Sequence, residues 1–128
     1  MNDSLIQAAL LAREHAHAPY SHFCVGAALE ESSGKIHTGC NVENATFGLT
    51  VCAERVAVFK AISEGARQFS RIAIAADTET LTPPCGACRQ ILWEFCGDAE
   101  LILENLQGVR ETMTIRQILP RPFDATFL

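Results

Sequence analysis

The stretch C52-A-E-R-V-A-V-F-K-A-I-S-E-G65 is the part of the chain on which the reading of the fold turns. From Cys52 to Ser63 its pattern is helical, and Gly65 stands where a helix C-terminus favours glycine. The segments around it are of another kind. Upstream, FCVGAAL (23–29) is apolar at both parities, as in a strand covered on both faces. KIHTGCNV (35–42) returns after the turn residues Ser32, Ser33 and Gly34, so 23–42 reads as a hairpin. Downstream, RIAIAA (71–76) is a third, buried strand. CGACRQILWEF (85–95) is a second helix after the turn residues TPP, and ELILENL (100–106) is a fourth strand. Gly108 allows a turn into RETMTI (110–115), either an edge strand or the approach to a last helical turn at 115–119. At the start, Asp3 or Ser4 caps a helix running to about His17, with Leu5, Ala8, Ala9, Ala12 and Ala16 at helical spacing and Pro19 as its stop. The order β-β-α-β-α-β, a hairpin and then two crossover helices, predicts a three-layer α/β domain with a mixed sheet.

At 128 residues the chain makes one compact domain, 1–128, and is too short for two. Hydrophobic residues at 48% and charged residues at 20% fit a packed globule and exclude extended disorder. A net charge of -5 offers no footprint for a phosphate backbone, so nucleic acid is not expected as a partner. No apolar run reaches the length of a membrane span. MNDSLIQAALLARE lacks the basic leader of a signal peptide, and six cysteines without one indicate metal ligation or buried thiols. A cytoplasmic location is expected.

Both cysteine motifs fall where the chain runs into a helix N-terminus, which is where ligands collect in open α/β sheets. Cys85 and Cys88, three apart, present their sulfurs to the same side, and the helix terminus favours the thiolate form that binds metal. Cys52 has the same advantage on the other helix. Three thiolates leave a fourth tetrahedral position open, the arrangement of a catalytic zinc. Cys24, Cys40 and Cys96 stand alone and read as small buried hydrophobes. His15, His17, His22 and His37 are scattered and read as surface or structural residues. Glu54 stands beside the ligands in the place of a general acid/base. Three thiolates on Zn2+ carry excess negative charge, and Arg55 is placed to offset it by hydrogen-bonding the sulfurs.

C52-A-E54 followed by P84-C-G-A-C88 matches the signature of zinc-dependent nucleobase deaminases. The chain resembles the small homotetrameric cytidine deaminases that use three cysteines. The likeness spans APYSHFCVGAAL (18–29), GCNVENATF (39–47), CAERVAVFKAISEG (52–65), AIAADT (73–78), PCGACRQ (84–90) and NLQG (105–108). It implies a three-layer α-β-α sandwich around a mixed five-stranded sheet, one zinc per subunit and a homotetramer with sites near subunit interfaces. Cys52, Cys85 and Cys88 match the zinc ligands and Glu54 the proton shuttle. Asn41 and Glu43 match the pair that bonds the ribose hydroxyls, and Phe23 an aromatic packed on the pyrimidine. Ala53 matches a residue whose backbone N–H serves the base. Phe123 resembles an aromatic that reaches into a neighbouring subunit's site. The implied reaction is hydrolytic deamination of cytidine, and of 2′-deoxycytidine, to the uracil nucleoside and ammonia. Water activated by zinc attacks C4, and Glu54 carries the protons.

Phe47 stands where the family commonly has tyrosine, Val56 where it has threonine and Pro83 where serine is frequent, while Gly48 loosens the same loop as Phe47. These departures bear on substrate range. A modified cytidine or a blasticidin-like nucleoside is the rival substrate. A structural zinc module would need a fourth ligand, and none is apparent. A C-x-x-C redox protein would leave Cys52 and Glu54 unexplained.

Overall fold

The computed structural model describes residues 3–128. Its hairpin forms as expected: β1 (Val25–Glu31) pairs antiparallel with β2 (Ile36–Cys40), with Ala28 opposite Thr38. Helix α2 (Ala53–Ser63) then carries the chain to β3 (Phe69–Ala76), which pairs antiparallel with β1 on its other side. Strands β2 and β3 are both antiparallel to β1 and so run parallel to each other. Helix α3 (Gly86–Cys96) leads to β4 (Glu100–Glu104), parallel to β3. The alternatives at 110–119 are both realised. β5 (Arg110–Thr114) is an antiparallel edge strand, and α4 (Ile115–Ile118) follows it directly behind a capping box of Thr114 and Gln117. The mixed five-stranded sheet has the order β2-β1-β3-β4-β5.

Strand periodicity sorts the side chains into two cores. Ala28, Ala73, Ala75 and Ile102 face Leu5, Ile6 and Ala9 of α1 (Asp3–Arg13). Ala27, Leu29, Ile72, Ile74, Leu101 and Leu103 face Ala53, Ala57, Val58 and Ala61 of α2, Leu92 of α3 and Ile115. This is the expected three-layer sandwich. Each fully buried Leu or Ile contributes about 1.5–3 kcal/mol of burial free energy.

Two boundaries differ from the sequence reading, for a common reason. Helix α1 ends at Arg13 rather than His17, because the His17 backbone pairs with the strand end beyond β2: its N–H donates to Asn41 O, and its carbonyl accepts from Glu43 N. β1 begins at Val25 rather than Phe23, because the Phe23 and Cys24 carbonyls are taken by the side chains of Asn41 and Arg13. The helix already includes Asp3, so neither Asp3 nor Ser4 precedes it as a cap, and the flank lies outside the described residues.

Glycine is required at two close approaches. A Cβ on Gly39 would lie 2.6 Å from both Ala53 O and Ala57 N of α2, and one on Gly26 would lie 2.0 Å from Ala9 O of α1. Both helices therefore sit almost directly on backbone, which fixes where α2 begins.

Candidate active site

Parallel strands β2 and β3 end at the same rim of the sheet, and each is followed by a helix of the same layer. Cys52 is the N-cap of α2 and Cys85 the N-cap of α3, with the Cys85 sulfur accepting from Cys88 N at 3.5 Å. The sulfurs of Cys52, Cys85 and Cys88 lie within 4.8 Å of one another. Zn–S bonds of about 2.3 Å at a tetrahedral centre put sulfurs roughly 3.8 Å apart, so closing this trio on an ion takes shifts of an ångström or less. Arg89 braces the second arm, with Nε donating to Pro84 O at 2.8 Å and Nη1 to Ile118 O at 3.0 Å.

The surroundings favour thiolate at Cys52. Hydrogen bonds from Cys88 and then from Arg55 outweigh burial and hold the Cys52 thiol down to about 5. Cys88, the donor to Cys52 and wholly buried, is pushed up. The Arg55 guanidinium donates from Nη2 to Cys52 Sγ at 3.4 Å, as the charge argument requires. Its Nε is buried without a hydrogen-bond partner, the arrangement of a side chain held for its charge. Three converging sulfurs and one half-buried cation fit a divalent, thiophilic ion.

Glu54 is 5% exposed, and burial pushes its carboxyl up to about 7, with the Cys52 charge adding to the rise. It lines a cavity of about 240 Å³ together with Phe23, Val25, Asn41, Glu43, Thr50, Cys52, Ala53, Thr82, Pro83 and Cys85. Phe23, Asn41, Glu43, Ala53 and Glu54 are thus brought to one cavity with Cys52 and Cys85. Ala53 occupies the first position of α2, where a backbone N–H has no acceptor within the helix.

The polar pair Asn41 and Glu43 is braced by the fold. Asn41 is buried, donating from Nδ2 to Phe23 O at 2.7 Å and accepting from Val25 N at 2.9 Å. One N–H and one lone pair of its amide remain. The Glu43 carboxylate accepts from the backbone of Tyr20 (3.0 Å) and Ser21 (3.1 Å) and from the Ser21 hydroxyl. The Ser21 hydroxyl first, with the two backbone donors, holds the carboxyl below its ordinary range. Val42 and Val51 exchange two backbone hydrogen bonds of 2.9 and 3.0 Å, which dock this segment just ahead of Cys52.

Phe123 does not enter this cavity. Its ring is 61% exposed and stacks on Phe127 at 5.5 Å, while Gln90 bonds its carbonyl at 2.6 Å and Asp124 accepts from Trp93 Nε1 at 3.0 Å. Phe47 lines a neighbouring cavity of about 340 Å³ with Tyr20, Ser21, Glu43 and Thr50. Val56 lines a different groove with Ala12, His15, Gly39 and Lys60, so it does not bear on the cavity directly. His37 is buried between Glu31 (2.5 Å) and Glu64 (3.1 Å), a structural histidine as expected. Cys24, Cys40 and Cys96 lie apart from the cluster, each half-buried. Thr50, in the lead-in to Cys52, lines both cavities, whereas Ser21 and Thr82 carried no site role in the sequence reading. The signal for Ser21 was local, since a serine two residues before Phe23 can accept its N–H, here at 3.0 Å.

Residues 1–104 match the family model described as the cytidine and deoxycytidylate deaminase zinc-binding region. The chain is 52% identical over 122 residues to the cytidine deaminase of Halalkalibacterium halodurans, covering 94% of this chain and 92% of that one. It is 49% identical to the cytidine deaminase of Sporosarcina psychrophila, with 94% and 90% covered. The crystal structure of the Burkholderia pseudomallei cytidine deaminase superimposes with a TM-score of 0.94 at 46% identity, covering 96% of this chain and 99% of that one. With the signature residues gathered around one cavity and similarity running nearly end to end, the chain belongs to the zinc-binding cytidine and deoxycytidylate deaminase family.

Proposed function

We propose that the chain is a zinc-dependent hydrolytic deaminase of the free nucleosides cytidine and 2′-deoxycytidine. The observation that carries this reading is the buried Glu54 lining one cavity with Cys52 and Cys85 of the cysteine cluster and with Asn41 and Glu43. Cys52, Cys85 and Cys88 would hold the zinc, which when bound would supply Lewis acidity toward water near neutral pH. Glu54 would take one proton from the attacking water and deliver it to N3 as the C4–O bond forms, then move the second proton from the new C4 hydroxyl to the amine, so that the C4–N bond breaks, ammonia leaves and C4 keeps the oxygen as a carbonyl. The Ala53 N–H donates to the base, and the Phe23 ring covers the pyrimidine. Asn41 and Glu43 hold the ribose hydroxyls. The ionised Glu43 disfavours a phosphorylated substrate, which is why a nucleoside is chosen over a nucleotide.

The same reading includes a homotetramer, with Phe123 of one copy completing the site of another. It is supported by Phe47, Leu49, Phe123 and Phe127, all more than 60% exposed, an excess of surface apolar groups that other copies would cover. One catalytic domain over residues 1–128 and a cytoplasmic location, supported by six free thiols, belong to it as well. Among the described residues no helix is long and apolar enough to cross a membrane.

The deciding experiment follows the fall in ultraviolet absorbance of cytidine and the release of ammonia, with zinc content measured in parallel. Glu54→Gln should keep its zinc and lose about 10²–10⁴ of turnover. A Glu54→Gln protein that turned over normally would refute the assignment, and no cytidine turnover beside turnover of a C4-modified analogue would reassign the substrate. Light scattering that gave a monomer mass for an active preparation would remove the tetramer.

A further inference from the structure

We propose that Ser21 is a positioning residue for the ribose end of the cavity, holding the Glu43 carboxylate and the Phe23 backbone in one fixed relation. The proposal rests on the reading of Glu43 as a ribose-binding group. The Ser21 hydroxyl is used in both directions, donating to Glu43 Oε2 and accepting from Phe23 N at 3.0 Å. Its orientation is therefore set, and it ties two walls of the cavity that are twenty residues apart in the chain.

A carboxylate offers about four acceptor sites. Tyr20 N and Ser21 N occupy two on Glu43 Oε1, and the Ser21 hydroxyl occupies one on Oε2. The remaining site is on Oε2, the only oxygen with capacity for a substrate hydroxyl. Removing the Ser21 hydroxyl leaves Oε1 anchored but frees Oε2 to rotate, since the terminal torsion of glutamate is broad. Phe23 N loses its acceptor in the same change. Ser21 itself is exposed, faces the adjoining cavity with Phe47, and lies outside both apolar cores, so the fold does not depend on it. Neither wall it ties includes Glu54 or the cysteines, and the effect should fall on substrate binding.

Ser21→Ala, Ser21→Thr, Glu43→Gln and the Ser21→Ala/Glu43→Gln double variant test this with cytidine as substrate. Ser21→Ala should raise KM about tenfold, the loss of one charge-assisted hydrogen bond, with kcat within about twofold of wild type. Its Tm should stay within about 2 °C. Ser21→Thr, which keeps the hydroxyl, should restore KM. In the Glu43→Gln background, Ser21→Ala should add less than about a further twofold, because its effect runs through that carboxylate. A normal KM for Ser21→Ala beside a raised KM for Glu43→Gln would overturn the role of Ser21 and leave that of Glu43 standing. A normal KM for both would overturn the reading of Glu43, and this proposal with it. Fully additive effects in the double variant, or a loss of kcat and Tm at unchanged KM, would also overturn it.

Discussion

Replacing Gly39 with alanine should damage the active centre from behind, without touching a ligand. The added Cβ lies 2.6 Å from Ala53 O, 2.6 Å from Ala57 N and 3.1 Å from Ala57 Cα, all backbone atoms that no rotamer change can move. Ordinary contacts begin near 3.4 Å, so β2 and α2 must separate by about 0.8 Å. The turn pushed outward is the one that carries Cys52, Ala53 and Glu54. Strand β2 is an edge strand and can take part of the movement, but Asn41 follows it directly and lines the same cavity. Overpacking of this kind costs about 1–3 kcal/mol, or roughly 4–12 °C in Tm at this chain length. A displacement near an ångström at reacting groups costs about 10²-fold in turnover. The assays are thermal unfolding, zinc content and steady-state cytidine turnover. Gly26→Ala is the control, because its Cβ strikes Ala9 O and Arg13 N of α1 on the opposite face of the sheet. It should lose at least as much stability while the folded protein keeps its zinc and kcat. A Gly39→Ala protein with unchanged Tm and turnover would refute the reasoning, as would Gly26→Ala losing kcat to the same degree.

Arg55→Ala should weaken zinc retention about 10–100-fold in competition with a chelator, since it removes the cation beside Cys52 Sγ; equal retention would end its role in offsetting thiolate charge. Glu30 is held below its ordinary pKa chiefly by the two-pronged bond from Arg71, at 2.8 and 2.6 Å. A depressed carboxylate adds stability that is present above its unfolded pKa and is lost as pH falls through the folded one. Glu30→Gln should therefore cost about 1 kcal/mol at pH 7 and progressively less below about pH 4, and a difference in Tm that persisted at pH 2 would contradict this. Cys96, raised to about 12 by burial alone, should resist thiol reagents at pH 8 in the folded protein and react on unfolding; labelling faster than global unfolding would show that the site opens locally.

Much of the centre was legible in the letters because its chemistry is local. A cysteine at the mouth of a helix, a second pair three residues apart, and a glutamate one turn-start away carry their meaning within a few positions, and α2 and α3 formed where their patterns placed them. The two apolar faces were equally legible, since FCVGAAL and RIAIAA have no polar parity and must be covered on both sides. Where the reading slipped, a distant backbone had intervened. Helix α1 stops at Arg13 because residues 17 and 41–43 pair, and Phe23 leaves β1 because Asn41 takes its carbonyl. Periodicity cannot report a partner that lies twenty residues away. For the same reason Val56 drew attention as a substitution beside the motif, although its side chain belongs to another groove.

The sequence by itself determined the thiol donor set, the carboxylate beside it and the class of ion, because these follow from side-chain identity and spacing at helix starts. Only the tertiary structure decided that the 52 and 85–88 motifs converge, since that requires β2 and β3 to run parallel and to end at one rim with β1 between them. It also decided what Glu43 is free to do. In the chain it is one more carboxylate, and in the fold three of its acceptor sites are taken by the 20–21 turn, leaving one oxygen with a free acceptor site at the cavity.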